Sequence, residues 1–185
     1  MFLVVGLGNP GPKYAENRHN VGFLVAEHLC STHGFPPFKD KFKGRFSRGT
    51  LAGHEVVFLE PATYMNLSGT SVQPAMQFFK VELDHVMVIH DELDLPFGSV
   101  RLKWDGGLAG HKGLRSIAAC CGGQAFGRVR VGIGRPQFGT VEQHVLGNFS
   151  TEERAELEHV LRSAAAALED ALELGFSAAM NRHNR

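Results

Sequence analysis

No apolar run in these 185 residues approaches the roughly 20 that a membrane-crossing helix needs. The chain starts Met-Phe-Leu-Val-Val-Gly-Leu-Gly. It has neither a basic opening nor a long apolar stretch before a cleavage pattern, so the expectation is a first strand and not a signal peptide. Cysteine is scarce: Cys30, Cys120 and Cys121, an odd count with two adjacent. That is a poor disulfide framework, and small apolar side chains in a reducing cytoplasm are the expectation. Neither charge sign prevails, with 19 Lys+Arg against 19 Asp+Glu. A protein that coats nucleic acid indiscriminately would not be so balanced. Internal repeats, low-complexity stretches and linkers are also missing.

The length suits one compact domain over residues 1–185, and 43% hydrophobic with 21% charged residues is ordinary for a globular chain. The charge is unevenly spread. Residues 1–150 hold 15 Lys+Arg and 12 Asp+Glu, a balance of +3, and residues 151–185 hold 4 and 7, a balance of −3. The mildly basic body is compatible with a local phosphate-binding surface.

Residues 2–6 form a short apolar run closed by glycine, a buried strand. Val21, Leu24, Val25, His28 and Leu29 are spaced for a helix over about 21–33, with Asn20 as its N-cap and Gly34 as its stop. The basic stretch Lys39–Arg48 leads into a hairpin that turns at Ala52-Gly53. A helix over 68–80 contains an awkward Pro74, and further strands are expected at Val86–Ile89, Ser99–Trp104 and Arg128–Ile133. Between the last two lie a glycine-rich loop at 105–110 and a helix from about 111 to 121. A long helix from Thr151 to Leu174 takes Thr151 as N-cap, and Glu152 and Glu153 suit its dipole. Strands and helices thus mix along the whole chain, which predicts one α/β domain with a mixed β-sheet flanked by helices.

Four polar clusters carry chemistry. In the first, Gly6-Leu7-Gly8-Asn9-Pro10-Gly11 fits G-x-G-x-x-G, but Pro10 and Pro12 obstruct a helix directly after it, and the pattern is not a dinucleotide site. Asn17-Arg18-His19-Asn20 closes that loop and puts His19 at a helix N-terminus, whose positive end disfavours an imidazolium. A neutral imidazole is what a general base requires, although a lone histidine there more often caps a helix or faces solvent. In the second cluster, His90-Asp91-Glu92-Leu93-Asp94 follows a strand and points carboxylates toward a crevice. One carboxylate against His19 would fix its tautomer. The same acids could hold a metal, but no tight ligand spacing supports that, and none is expected. In the third, Tyr64-Met65-Asn66-Leu67-Ser68-Gly69, Asn66 suits reading a peptide amide or capping a helix, and Ser68 lacks a nucleophile elbow. The fourth runs from Arg101 to Gly113, with Lys103 and Lys112 beside glycines that precede a helix. It favours phosphate without being a Walker A loop.

Taken together, the segments GLGNPG-x-x-Y and RHNVGF (residues 6–23), EPATYMNLSG (60–69), HDELDLPFG (90–98), GGLAGHKGL (106–114), VRVGIGRP (129–136) and VLGNF (145–149) resemble the bacterial peptidyl-tRNA hydrolases. They lie in the family's order and span nearly the whole chain. The resemblance implies a twisted mixed sheet, no metal or other cofactor, and hydrolysis of the ester between peptide and tRNA. It implies His19 as the base that activates water and Asp91 as its orienting partner. It makes Asn9 and Asn66 the amides that hold the peptide backbone and the tRNA 3′ end, and His111 a wall of the same crevice. Lys103 and Arg130 would grip the tRNA 5′-phosphate. Tyr14, Tyr64 and Lys112 join them as substrate-binding residues. Two positions depart from the family: Lys112 stands where asparagine is usual, and Leu108 where histidine is usual.

The expected reaction is direct attack by water, with no covalent intermediate. The partner is peptidyl-tRNA, met at its acceptor end and 5′-phosphate by a cytoplasmic monomer with no membrane attachment. The competing expectations are an RNA-binding relative that no longer cleaves, and a nucleoside-handling enzyme on a related fold. The run Lys39–Arg48 taken alone reads as a solvated hairpin.

Overall fold

In the first strand, β1 (Phe2–Gly6), successive side chains turn to opposite faces, as a pleated strand requires. Leu3 and Val5 join one buried apolar cluster and Val4 joins another. The computed structural model describes residues 1–185. After β1 come α1 (Val21–Thr32), β2 (Lys39–Lys41), β3 (Gly44–Leu51), β4 (His54–Pro61), α2 (Gly69–Phe79), β5 (Val86–Glu92), β6 (Val100–Trp104), α3 (Lys112–Cys121), β7 (Gly127–Gly132), α4 (Val141–Val145), α5 (Thr151–Leu174) and α6 (Phe176–His183).

The seven strands form one mixed sheet in the order β2-β3-β4-β1-β5-β7-β6. The four central strands β4, β1, β5 and β7 are parallel, and β3, β2 and β6 join antiparallel at the margins. One face is covered by α1, α5 and α6, through Val25, Leu29, Ala164, Leu168 and Ala179. The other is covered by α2 and α3, through Val72, Ala75, Leu114 and Ile117. This is the α/β architecture with a mixed sheet and flanking helices that the alternating pattern predicts. No helix is long and apolar enough to cross a membrane.

Several local expectations are corrected. The cap of α5 is Ser150, not Thr151: Ser150 Oγ accepts from the Glu153 N–H while the Glu153 carboxylate accepts from the Ser150 N–H. Asn20 occupies the cap position of α1 but makes no side-chain cap bond, because its amide is committed to the main chain of Asn9. Strand β5 does not stop at Ile89. It continues through His90, Asp91 and Glu92, each registered against β7. Lys39–Arg48 holds β2 and the first part of β3, joined at Phe42-Lys43, where both residues take positive φ. The short helices α4 and α6 were not anticipated.

Candidate active site

The crevice lies at the carboxyl ends of β1, β4 and β5, where helices leave the sheet toward opposite faces, the usual place for a ligand in an open α/β sheet. Two glycines let its walls meet. A Cβ on Gly22, in the first turn of α1, would lie 2.4 Å from Ile89 O and 2.5 Å from Leu7 N. Only glycine allows α1 to approach β1 and β5 this closely. A Cβ on Gly113, in the first turn of α3, would lie 2.7 Å from Met65 Sδ and 2.8 Å from Leu7 Cδ1. The turn before α1 carries His19, the end of β5 carries Asp91, and the residue before α3 is His111.

These three side chains converge. His19 Nδ1 is 2.8 Å from Asp91 Oδ2, and His111 Nε2 is 2.8 Å from Asp91 Oδ1. The Asp91 side chain is 2% exposed. Burial by itself pushes its carboxyl up. The electrostatic attraction and hydrogen bonds of the ring N–H groups of His19 and His111 outweigh that and hold it well below the usual carboxylate range. Asp91 is therefore an ionised acceptor for two ring N–H groups. His19 sits in a 3-10 turn, Arg18–Asn20, immediately before α1, close to the expected helix N-terminus. Its Nδ1–H is committed to Asp91, so Nε2 is the lone-pair nitrogen, and the ring lines the crevice.

The tautomer of His111 is fixed from the other direction. Its Nδ1 accepts from the backbone N–H groups of Gly113 at 3.1 Å and Leu114 at 3.4 Å, which makes His111 the N-cap of α3. A nitrogen that accepts carries no hydrogen, so the proton lies on Nε2 and is donated to Asp91. Donor atoms of His19, Asp91 and His111 lie within 4.8 Å of one another, close enough to consider a cation. The donor set fits one poorly. His111 would have to surrender its Nε2 proton or abandon the α3 cap, and both Asp91 oxygens already accept hydrogen bonds.

The crevice encloses about 380 Å³ and includes Asn9, Tyr14, Tyr64, Asn66 and Lys112 with the three central residues. Asn9 is buried and immobilised. Its N–H and C=O bond the Asn20 amide at 2.8 and 2.9 Å, and its Oδ1 accepts from Met65 N–H at 2.8 Å. The Asn9 NH₂ group has no hydrogen-bond partner within the protein, and Asn9 lines the crevice. Asn66 and Tyr64 are exposed on the rim, in the loop that follows β4. Tyr14 is half-buried in the same lining. Asp91, Glu92 and Glu142 make the lining acidic, and Lys112 is the one Lys or Arg among its residues.

The side of the crevice formed by Val141, Glu142, Val145 and Leu146 was missed in the sequence. It belongs to α4, five residues started by a capping box between Thr140 and Gln143; the T-x-x-Q spacing was the available signal. Arg18 was also missed. Its Nε and Nη2 donate to Glu153 Oε1 at 3.1 and 2.8 Å, and Nη1 donates to His144 O at 3.0 Å. The residue beside His19 thus ties the turn before α1 to α4 and to the cap of α5.

Lys103 and Arg130 are not in the crevice lining. They lie on β6 and β7, where Lys103 is paired with Arg128 and Arg101 with Arg130. Residues two apart share a face, so these four cations share one side of the strand pair. Arg128 is buried and donates to the carbonyls of Asp105, Gly106 and Gln124. Arg130 Nη1 lies 4.0 Å from Glu92, which does line the crevice. His90 is fully buried, with Nδ1–H on its neighbour's carbonyl. Burial and then His111 push its pKa down to about 3, against the pull of Asp91, so its ring is neutral.

The sequence model of the peptidyl-tRNA hydrolase family matches residues 3–185. The chain is 52% identical to a peptidyl-tRNA hydrolase of Sorangium cellulosum, over 100% of this chain and 84% of that one. It is 46% identical to one of Carboxydothermus hydrogenoformans, over 100% and 99%. The crystal structure of peptidyl-tRNA hydrolase from Acinetobacter baumannii superposes with a TM-score of 0.92 at 40% identity, covering 100% of this chain and 94% of that one.

Proposed function

The chain belongs to the peptidyl-tRNA hydrolase family, and we propose how its side chains divide the work of cleaving the ester between peptide and tRNA. His19 Nε2 takes a proton from a water molecule as the water's oxygen attacks the ester carbonyl. The Asp91 carboxylate holds the ring by Nδ1–H and stabilises the imidazolium that forms. The imidazolium then returns its proton to the departing 3′-oxygen of the terminal ribose. The products are a peptide with a free carboxylate and a tRNA with a free hydroxyl.

The observation that carries this reading is the 2.8 Å contact between His19 Nδ1 and the buried, ionised Asp91, which leaves the other ring nitrogen to the crevice. A positioned base contributes about 10²–10⁴-fold. Donors on the developing oxyanion contribute about 10²–10³-fold more, and in this reading the NH₂ of Asn9 and the amide of Asn66 supply them. The same amides read the first peptide bond, so an aminoacyl-tRNA without one leaves them unpaired. Tyr14, Tyr64, His111 and Lys112 complete the walls. Lys103 and Arg130 grip the 5′-phosphate from the cationic side of β6 and β7. The three free thiols support a reducing, cytoplasmic setting, and the enzyme acts as a monomer on one tRNA.

Turnover of a defined peptidyl-tRNA by the parent and by His19→Ala tests this. The variant should lose about 10²-fold or more in kcat while keeping its thermal transition and its affinity for tRNA. A variant that turns over at the parental rate would remove His19 from the mechanism.

A further inference from the structure

Strand β6 is an edge strand, paired on one side only, with β7. In an antiparallel pair alternate residues turn their N–H and C=O away from the partner, and on β6 Leu102 does so. An unpaired N–H and C=O on an edge usually face water or another chain. Here the side-chain amide of Asn184 takes both. Asn184 Oδ1 accepts from Leu102 N–H at 2.8 Å, and Asn184 Nδ2 donates to Leu102 C=O at 2.7 Å. One asparagine side chain thus stands in for an eighth strand at a single residue. It is itself fixed: Asp170 of α5 holds His183 at 2.6 Å and Arg182 at 3.5 Å.

Leu102 is fully buried, and its two neighbours, Arg101 and Lys103, extend to the opposite, cationic side. Lys103 Nζ reaches only one protein acceptor, the carbonyl of Gly107 at 3.5 Å, so little beyond the strand itself positions it. We propose that Asn184 is a positioning residue for the tRNA 5′-phosphate: by clamping the backbone of Leu102 it holds Lys103 at a fixed separation from Arg130 on β7. This rests on the assignment of Lys103 and Arg130 as the phosphate grip. A two-point grip on one phosphate gains from preorganisation. A five-residue edge strand released from its clamp spreads the ammonium over more positions. The cost falls on substrate binding, because the strand contributes no residue to the crevice that holds His19 and Asp91.

The experiment compares two preparations of one peptidyl-tRNA, carrying a 5′-phosphate or a 5′-hydroxyl, with the parent, Asn184→Ala, Asn184→Asp and Lys103→Ala. The aspartate variant keeps the acceptor for Leu102 N–H and loses the donor, so it tests the clamp with minimal change of shape. Both Asn184 variants should raise KM for the phosphorylated substrate about three- to tenfold, the worth of one net hydrogen bond, with kcat unchanged. On the 5′-hydroxyl substrate, where no phosphate loads the strand, they should match the parent. Equal losses on both substrates, or no loss on either, would overturn the clamp while Lys103→Ala still discriminates between them. A parent and Lys103→Ala that treat the two substrates alike would overturn the phosphate grip itself, and the clamp with it.

Discussion

Nε2 of His111 lies 2.8 Å from Oδ1 of Asp91, so the carboxylate that holds the His19 ring is itself held from a second side. The backbone of α3 fixes the His111 tautomer, and His111 in turn leaves Asp91 a single oxygen for His19. The start of one helix thus dictates the hydrogen-bonding state of a base on another element.

Asp91→Asn should break this chain. An amide offers one acceptor oxygen where two ring N–H groups need one each, so either His19 or His111 must face an NH₂ group. A loss of about 10²-fold or more in kcat is expected, with a smaller change in KM, measured on a single peptidyl-tRNA. The parent's Asp91 pKa is lowered on folding, so it contributes stability above the ordinary carboxylate value of 3.8 and loses it as pH falls below that. The melting temperature of the parent should therefore drop more steeply on acidification below about pH 4 than that of the asparagine variant.

Lys112 stands at the first position of α3, where the helix dipole disfavours a cation by about 0.3–1 kcal/mol. Lys112→Asn should raise the melting temperature slightly and preserve or raise kcat. A large fall in turnover would mean that the acidic lining of Asp91, Glu92 and Glu142 depends on this ammonium to admit an anionic substrate.

Removing Arg18 strips three hydrogen bonds from the joint between the His19 turn, α4 and α5, and leaves the half-buried Glu153 without its cation. Arg18→Ala should cost about 1–3 kcal/mol in denaturant unfolding and should also raise KM, since α4 forms a wall of the crevice. Arg18→Lys should recover little, because an ammonium cannot reproduce the forked contact.

Glu60, at the end of β4, is buried beside Arg45 and Glu27. Burial, then the Glu27 charge, push its carboxyl up to about 8 against the pull of Arg45. A raised pKa means the folded chain keeps this proton while the unfolded chain releases it, so stability falls as pH rises from about 4.5 toward 8. Glu60→Gln does not titrate. Its melting temperature should be close to that of the parent at pH 5 and higher by several degrees at pH 8, where the gain is about 1–3 kcal/mol.

Much of this site is legible in the residues because its polar clusters stand at the ends of apolar runs. Val86–Ile89 announces a strand, and His90-Asp91-Glu92 follows it. The strand's true end is hidden, because backbone pairing with β7 continues regardless of side-chain polarity. Asp91 can lie inside it only because His19 and His111, distant in sequence, supply partners. The α5 cap was readable: Ser150 is followed three residues later by Glu153, and Thr151 by Arg154. Helix α4 has too few residues for any apolar period. Helix α6 resumes after Gly175, which marks a stop just as well. The clamp of Asn184 on Leu102 joins positions 82 apart and has no local signal.

The central position of β1 sets the order in which activity can appear during synthesis. Phe2–Gly6 is made before both of its neighbours in the sheet, Val56–Leu59 and Val86–Ile89. A nascent chain therefore carries an apolar ribbon with at least one margin bare until the second flank emerges, a non-local assembly of the slow kind. His19 is translated long before Asp91, so the 2.8 Å contact between them forms only once the later strand has emerged.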